Sequence, residues 1–318
     1  MSENRQLLVE MAEGLFADLA HVPFEDAWPR IAEAGFATLL VPAEQGGFGG
    51  DWGDVLAVLR LSGLNAVAAP LAEPIIAHAL LAQAGMGAPD GLLTLVAASG
   101  RAPFGRHADA VVALRDGTLS LYAKGAFAVE EGHSLAGEPS DLISFTGPAA
   151  ASAACGADLD GLGAFARVAQ ASGAMEAAFT LAIDHVNTRV QFGKPLAKFQ
   201  AVQQALAEFS EEAAAVDASA AACAAALDAG DAAFEIAAAK YRLGLAVDRG
   251  VPIAHRVHGA IGFTMEYALN RFTRRLMHWR SEFGSDAVWA EALGRKVAAL
   301  GGHGLWREMA ARSDRLIA

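Results

Sequence analysis

Cysteine is scarce in this sequence, with Cys155 and Cys223 the only two in 318 residues. With no Cys-x-x-Cys pair, neither a disulfide framework nor a thiolate metal site follows, and a reducing cytosol suits the chain. Positive charge is in deficit, 24 Lys and Arg against 36 Asp and Glu for a net charge of −12. That balance excludes a general nucleic-acid or membrane-surface binder, because those partners are polyanions, but leaves room for a small anion held by a local basic patch. Long apolar runs are missing too. The stretch "LISFTGPAAASAACGA" is broken by Gly, Pro and Ser and falls short of the roughly 20 residues that span a bilayer, so no membrane insertion is expected. The opening "MSENRQLLVEMAEG" carries early charges and no long apolar core, unlike a signal peptide. There is no Gly-x-Ser-x-Gly elbow, which removes support for a serine hydrolase.

What is present is a chain 54% hydrophobic, enough for a large core and two or three domains. Three regions separate by pattern. Residues 1–88 read as a helical domain: Leu7, Leu8, Met11, Leu15, Phe16 and Leu19 recur at helical spacing, and Leu56 to Ala84 is apolar with breaks near Pro70 and Pro74. "ATLLV" between them is a short apolar piece before the Gly-rich loop "GGFGG". Residues 89–160 read as a small, reduced β domain of short apolar runs bounded by Gly, Asp, Pro and Ser. Within it Asp116-Gly117 supplies the positive φ angles of a hairpin. Residues 161–318 read as a long-helix bundle. Phe165, Val168, Ser172, Met175, Phe179, Ile183 and Val186 make one apolar face of a helix that Gly193-Lys194-Pro195 ends. A second helix starts near Phe199 and runs to Asp228, Asp231 caps the next, and further helices cover about 232–258, 266–280 and 286–312. The alanines of this region let helices approach closely.

"GGFGG" has no following Lys-Ser/Thr and no strand–Gly–helix context, so it reads as a tight turn, not a phosphate cradle. His255 and His258 stand three apart, but no carboxylate or cysteine nearby completes a metal set. Two stretches are denser in chemistry. In "NTRVQFGKPLAKFQAVQQALAEF", residues 187–209, a new helix N-terminus offers free N–H groups to a phosphate. Arg189 can add a bidentate contact there and Phe192 an aromatic surface. In "AHRVHGAIGFTMEYALNRFTRRL", residues 254–276, Gly259 and Gly262 allow close approach of a ligand or backbone. Arg271, Arg274, Arg275 and Arg280 then form a basic run in an acidic protein.

Together these stretches resemble the acyl-CoA dehydrogenase family. The match is to its Arg-x-x-Phe-Gly-x-Pro-x-x-x-Phe-Gln motif, here Arg189 to Gln200, and to its Gly-Gly-x-Gly-Phe segment, here "GAIGF" followed by Glu266-Tyr267. "GFATLLVPAEQGGFGG" is similar to the family's N-terminal Gly-rich signature. The resemblance implies a mainly α fold of helical domain, small β domain and helical bundle. It implies FAD as cofactor, an acyl-CoA thioester as substrate, and a carboxylate that removes the α-proton while the β-hydrogen leaves as hydride to the flavin. Arg189, Phe192, Gly193, Leu196, Phe199 and Gln200 would hold the pyrophosphate and adenosine of FAD. Arg256, Gly259 and Gly262 would do so from another helix. In family oligomers both segments reach across to the FAD of a neighbouring subunit.

The departures fall on the other half of the site. Arg256 and Ala260 replace the family's Gln and second Gly, but the flavin-loop Thr-Glu-Pro-x-x-Gly-Ser-Asp and the Trp-Ile-Thr motif of the β domain are missing. Counting from Glu266-Tyr267, the family's Tyr-Glu-Gly-Thr falls on Glu282-Phe283-Gly284-Ser285, so Phe283 takes the place of the catalytic Glu. Some members place the base early in the helix before the Arg-x-x-Phe-Gly motif, and that position is Gly163. The expectation is therefore a cytoplasmic, degenerate subunit of a heteromeric acyl-CoA dehydrogenase that lends FAD contacts to a catalytic partner, with steroid-type CoA esters as plausible bulky substrates and an electron-transferring flavoprotein as acceptor by family habit. Two alternatives stand beside it. One is a self-sufficient homo-oligomer using Glu282 or another carboxylate; the other is a structural or binding protein without FAD. Without either role, Glu282 is expected at the surface, paired with Arg280 or a neighbouring Arg.

Overall fold

The computed structural model describes the backbone of residues 3–317 and the side chains of residues 4–315; Met1, Ser2 and Ala318, which the sequence reading assigns to the outer domains, lie outside the described residues. Helices α1 (Glu3–Leu19), α2 (Phe24–Glu33), α3 (Trp52–Leu64) and α4 (Ala72–Gln83) come first. Leu8, Phe16 and Leu19 of α1 are buried as their spacing predicts, whereas Leu7 and Met11 face outward. The "ATLLV" piece is a 3-10 turn over Phe36–Thr38 running into a bend. "GGFGG" is indeed a turn, tied back by Phe48 N–H to Thr38 O, Gly49 N–H to Val41 O and Gly50 N–H to Leu39 O. Asp51 and Asp54 form a reciprocal capping box at the start of α3.

Seven strands follow: β1 (Leu93–Val96), β2 (Arg101–Pro103), β3 (Ala110–Arg115), β4 (Thr118–Ala123), β5 (Phe127–Glu130), β6 (Ser140–Phe145) and β7 (Ala151–Ala154). One sheet has the order β1-β3-β4-β7, with β1 parallel to β3; the other is β2-β6-β5 and antiparallel. The β3–β4 hairpin pairs Arg115 with Thr118 across Asp116 (φ 50°) and Gly117 (φ 73°), the turn expected from Asp-Gly.

The bundle is α5 (Leu159–Thr188), a two-residue hairpin β8 (Val190–Gln191) and β9 (Lys194–Pro195), then α6 (Gln200–Asp228), α7 (Ala233–His258), α8 (Leu269–Trp279) and α9 (Asp286–Ile317). Helix α5 is the centre. From Gly161 to Met175 every residue is buried, so its first half is enclosed all round and not on one face. Its contact with α3 is backbone to backbone: a Cβ on Gly63 would stand 1.8 Å from the Gln170 carbonyl oxygen, and one on Gly173 would stand 1.9 Å from that of Arg60. Two local expectations are corrected. Helix α5 ends at Thr188, before Gly193, because Phe192 (φ 52°) and Gly193 (φ 80°) form the tip of the β8–β9 hairpin. Asp231 does not cap α7, whose N-cap is Ala232; its carboxylate accepts from Arg312 Nη2 at 2.6 Å, tying α9 to the start of α7.

Candidate functional site

Two places in the bundle carry the residues singled out above. The first is a cavity of about 960 Å³ where the end of α5 and the start of α6 face the end of α7. Arg189, Leu196, Gln204, Arg256 and Gly259 line it. Beyond Thr188 the chain turns extended at Arg189, and Leu196 N–H donates to the Arg189 carbonyl at 2.9 Å, which closes the hairpin and delivers the chain to α6. No side chain caps α6 at Phe199, so the positive end of its dipole is available to an anion. Gly259 (φ 65°) stops α7, and a Cβ there would meet no atom within 4 Å. Gly262 serves packing instead: its Cβ would fall 2.9 Å from that of His258.

Phe192, Gly193, Phe199 and Gln200 flank this cavity without lining it. Phe192 stands out from the hairpin tip, 89% exposed, with its ring edge-on to Phe199 at 6.2 Å. Val190, Ile261, Phe263 and Met265 are exposed as well. Of these, Ile261 lines the cavity itself. Burial, then His258 and Arg189, pushes the His185 pKa down, and Arg189 and Arg256 are the arginines of the cavity wall. His255 and His258 are engaged separately, with Thr273 Oγ1 at 3.1 Å and with Tyr267 Oη at 3.1 Å. Among the described residues no three His, Cys, Asp or Glu side chains converge as a metal set.

The second place is the loop after α8. Phe283 has φ 55° and is buried. Its ring lies directly on Gly163: a Cβ at 163 would stand 2.4 Å from a ring carbon. The two positions read from sequence as base sites are thus in contact, and neither holds a carboxylate. Trp289 Nε1 donates to the Phe283 carbonyl at 3.1 Å, and buried Lys240 donates to the Trp279 carbonyl, so the loop is held at both ends.

Glu282 is held in an ionic cluster whose Arg167 also lies over the Phe283 ring, 5.4 Å from its centroid. Arg167 Nε donates to Glu282 Oε2 at 2.6 Å, Nη2 donates to Glu73, and Nη1 donates to Gln170 Oε1 at 2.5 Å. The surface pairing with Arg280 is therefore wrong: Glu282 is almost buried and its partner is Arg167, whereas Arg280 pairs with Asp248 and Asp286. Burial favours the neutral acid, but Arg167 and then His278 overcome it and hold the Glu282 carboxyl down at about 2. Burial pushes the Glu73 carboxyl up, with Arg167 opposing. A carboxylate so strongly stabilised in its charged form is a poor acceptor for a carbon-bound proton. The cavity over this cluster is about 30 Å³, room for a water and not for an acyl chain. A cleft of about 550 Å³, also touched by Glu282, lies between Pro103, Phe283, Val288 and Trp289.

Residues 161–298 match the family model described as acyl-CoA dehydrogenase, C-terminal domain. Over that segment, which is less than half of its length, the chain resembles acyl-CoA dehydrogenases. A glutaryl-CoA dehydrogenase of Desulfococcus multivorans is 38% identical over 104 residues, 32% of this chain and only 27% of that protein. Acyl-CoA dehydrogenase IpdE2 of Mycobacterium tuberculosis is 28% identical over 265 residues, 79% of this chain and 80% of that one. Two solved structures share the fold at 20% identity. One, described as a variant of the steroid ACAD Tcur3481-Tcur3483, superposes with TM-score 0.82 over 93% of this chain and 98% of the other; the ChsE4-ChsE5 complex from M. tuberculosis gives 0.79 over 94% and 98%.

Within this fold, Arg167 and Glu73 are the residues that no motif announced. Each is a lone charge in an apolar helical stretch, "LGAFARVAQASGAM" and "AEPIIAHALLA". A charge on a core-facing turn demands an opposite charge somewhere, and that was the available signal.

Proposed function

We propose that this chain is the non-abstracting subunit of an FAD-dependent acyl-CoA dehydrogenase and that it completes the cofactor site of a catalytic partner. The observation that carries this reading is the closed base site: Phe283 seated on Gly163, with Glu282 turned into the Arg167 cluster. FAD, bound in the assembled enzyme, supplies the hydride acceptor for α,β-dehydrogenation of the acyl-CoA thioester.

This chain's residues supply binding and orientation. The cavity bounded by Arg189, Arg256 and the uncapped start of α6 fits an anionic diphosphate. Leu196, Phe199 and Gln200 would flank the adenosine, and Gly193 and Gly259 would let backbone come close, while Gly262 packs on His258. The exposed rim of Val190, Phe192, Ile261 and Phe263 would be covered by the partner, excluding water from the shared site. Proton removal falls to the partner's carboxylate. The neighbour described as a complex, ChsE4-ChsE5, supports pairing of unlike chains, and the one described as a steroid ACAD supports a bulky acyl group. An electron-transferring flavoprotein is the acceptor in this reading, with the cytoplasm as the setting.

In the complex with its partner dehydrogenase, Arg189→Gln and Arg256→Gln are each expected to weaken FAD binding by about tenfold or more, the worth of a charge-assisted hydrogen bond to phosphate. Flavin titration of the apo-complex measures this. Unchanged FAD affinity in both variants would remove this cavity from the cofactor site.

A further inference from the structure

Helix α8 carries Arg271, Arg274 and Arg275 within five residues, on one side of the helix. Only Arg275 is neutralised, by Glu138, with Nε and Nη2 at 2.9 and 2.5 Å from Oε1. Among the described residues neither Arg271 nor Arg274 is paired with a carboxylate. The Arg271 guanidinium donates through Nη1 to His21 Nε2 at 3.1 Å, and Arg274 Nη1 stands 3.8 Å from the Met265 sulfur. All three arginines line a cavity of about 380 Å³ between α8 and the turns that follow α1 and α3. The remaining walls are small and apolar, with His21 and Asn270, and contain no Asp or Glu. Asn270 Nδ2 donates to the Gly262 and Thr264 carbonyls, which fixes the 262–265 loop as one side of the cavity.

Like charges one turn apart repel, and a protein with 36 acidic side chains has ample means to neutralise them. Two guanidinium forks beside a pocket without a carboxylate instead match the oxygens of a phosphate group. We propose that this cavity is an anion site for a phosphate or diphosphate group of a small molecule, held by Arg271 and Arg274 with Arg275 and Asn270 shaping the wall. It is separate from the Arg189–Arg256 cavity and does not depend on the cofactor reading.

Calorimetric titration of the full chain with inorganic pyrophosphate tests it, in an Arg189→Gln/Arg256→Gln background so that the other cationic cavity is silent. Binding is expected to persist in that background and to weaken about tenfold or more in Arg274→Gln and in Arg271→Gln. It should also weaken with rising salt. Arg271 is exposed and Arg274 half-buried, and with no carboxylate partner lost in either case neither substitution is expected to move the melting temperature. A second titration with coenzyme A separates the sources of the group: competition with pyrophosphate assigns the site to the phosphate end of a CoA ester, and pyrophosphate binding without competition assigns it to a free phosphorylated compound. No pyrophosphate binding in the Arg189→Gln/Arg256→Gln chain, or binding that survives both α8 substitutions unchanged, would overturn the proposal.

Discussion

Arg167→Ala is expected to destabilise the fold by about 3–5 kcal/mol, the cost of leaving buried charge without its partner. Among the described residues Arg167 is the only cation that touches both Glu73 and Glu282, and its removal leaves two carboxylates facing one another in the core. Urea unfolding measures the loss. Adding Glu73→Gln and Glu282→Gln to the Arg167→Ala chain should return most of it, because the remaining groups are then neutral. A loss below about 1 kcal/mol would place the cluster with exposed ion pairs and contradict the geometry. The same cluster gives a pH dependence. The folded carboxyl of Glu282 titrates at about 2, below its ordinary 4.5. Its stabilising share is therefore complete above about pH 4.5 and is lost as pH falls toward 2. The raised carboxyl of Glu73 acts in the opposite sense, gaining stability as it takes up a proton. Glu282→Gln should flatten the acid limb of the stability profile, while turnover of the assembled enzyme stays unchanged.

Gly163→Glu is expected to abolish folding rather than install a base. The new Cβ alone would meet the Phe283 ring at 2.4 Å, and no staggered rotamer removes an overlap at Cβ. Gly163→Ala isolates that overlap and should cost about 1–3 kcal/mol. Phe283→Ala by itself should cost about 3–5 kcal/mol through the cavity it leaves. Combined, the two should cost clearly less than their sum, because each relieves the other. Additive costs would mean that the ring and residue 163 are not in contact.

Much of the fold was legible because its local signals agree with its packing. Asp116-Gly117 named a hairpin and formed one, and the Gly and Pro breaks separated helices from strands. The three-and-four spacing of Phe165, Val168 and Met175 named a helix, but spacing counts only apolar side chains. It could not reveal that Gly163, Ala169, Gln170 and Gly173 are buried as well, or that α3 presses backbone against backbone at Gln170 and Gly173. Phe192-Gly193 looked like a helix stop and is a hairpin tip, because a two-residue turn with positive φ at both positions has the same Gly signature as a helix end.

The candidate site was legible by halves. Arg189 with Leu196, and Arg256 with Gly259, come from two well-separated stretches and line one cavity; the family resemblance had linked those two stretches, and spacing alone had not. The register argument named Phe283 and Gly163 one at a time. Their contact is tertiary, and nothing local announces it. Glu282 shows the limit most plainly. Its nearest cation in sequence is Arg280, but a helix end turns successive side chains by about 100°, so Arg280 faces Asp248 and Asp286 while Glu282 reaches Arg167 on α5, 115 residues away.

The central claim is that this chain holds half of a flavin site and no proton acceptor. The flavin absorbance of the purified chain, alone and in complex with its partner dehydrogenase, tests it most directly. The account predicts a colourless chain alone and a yellow complex with one FAD for each pair of unlike subunits. A chain that alone carries one FAD per subunit and dehydrogenates an acyl-CoA would contradict it.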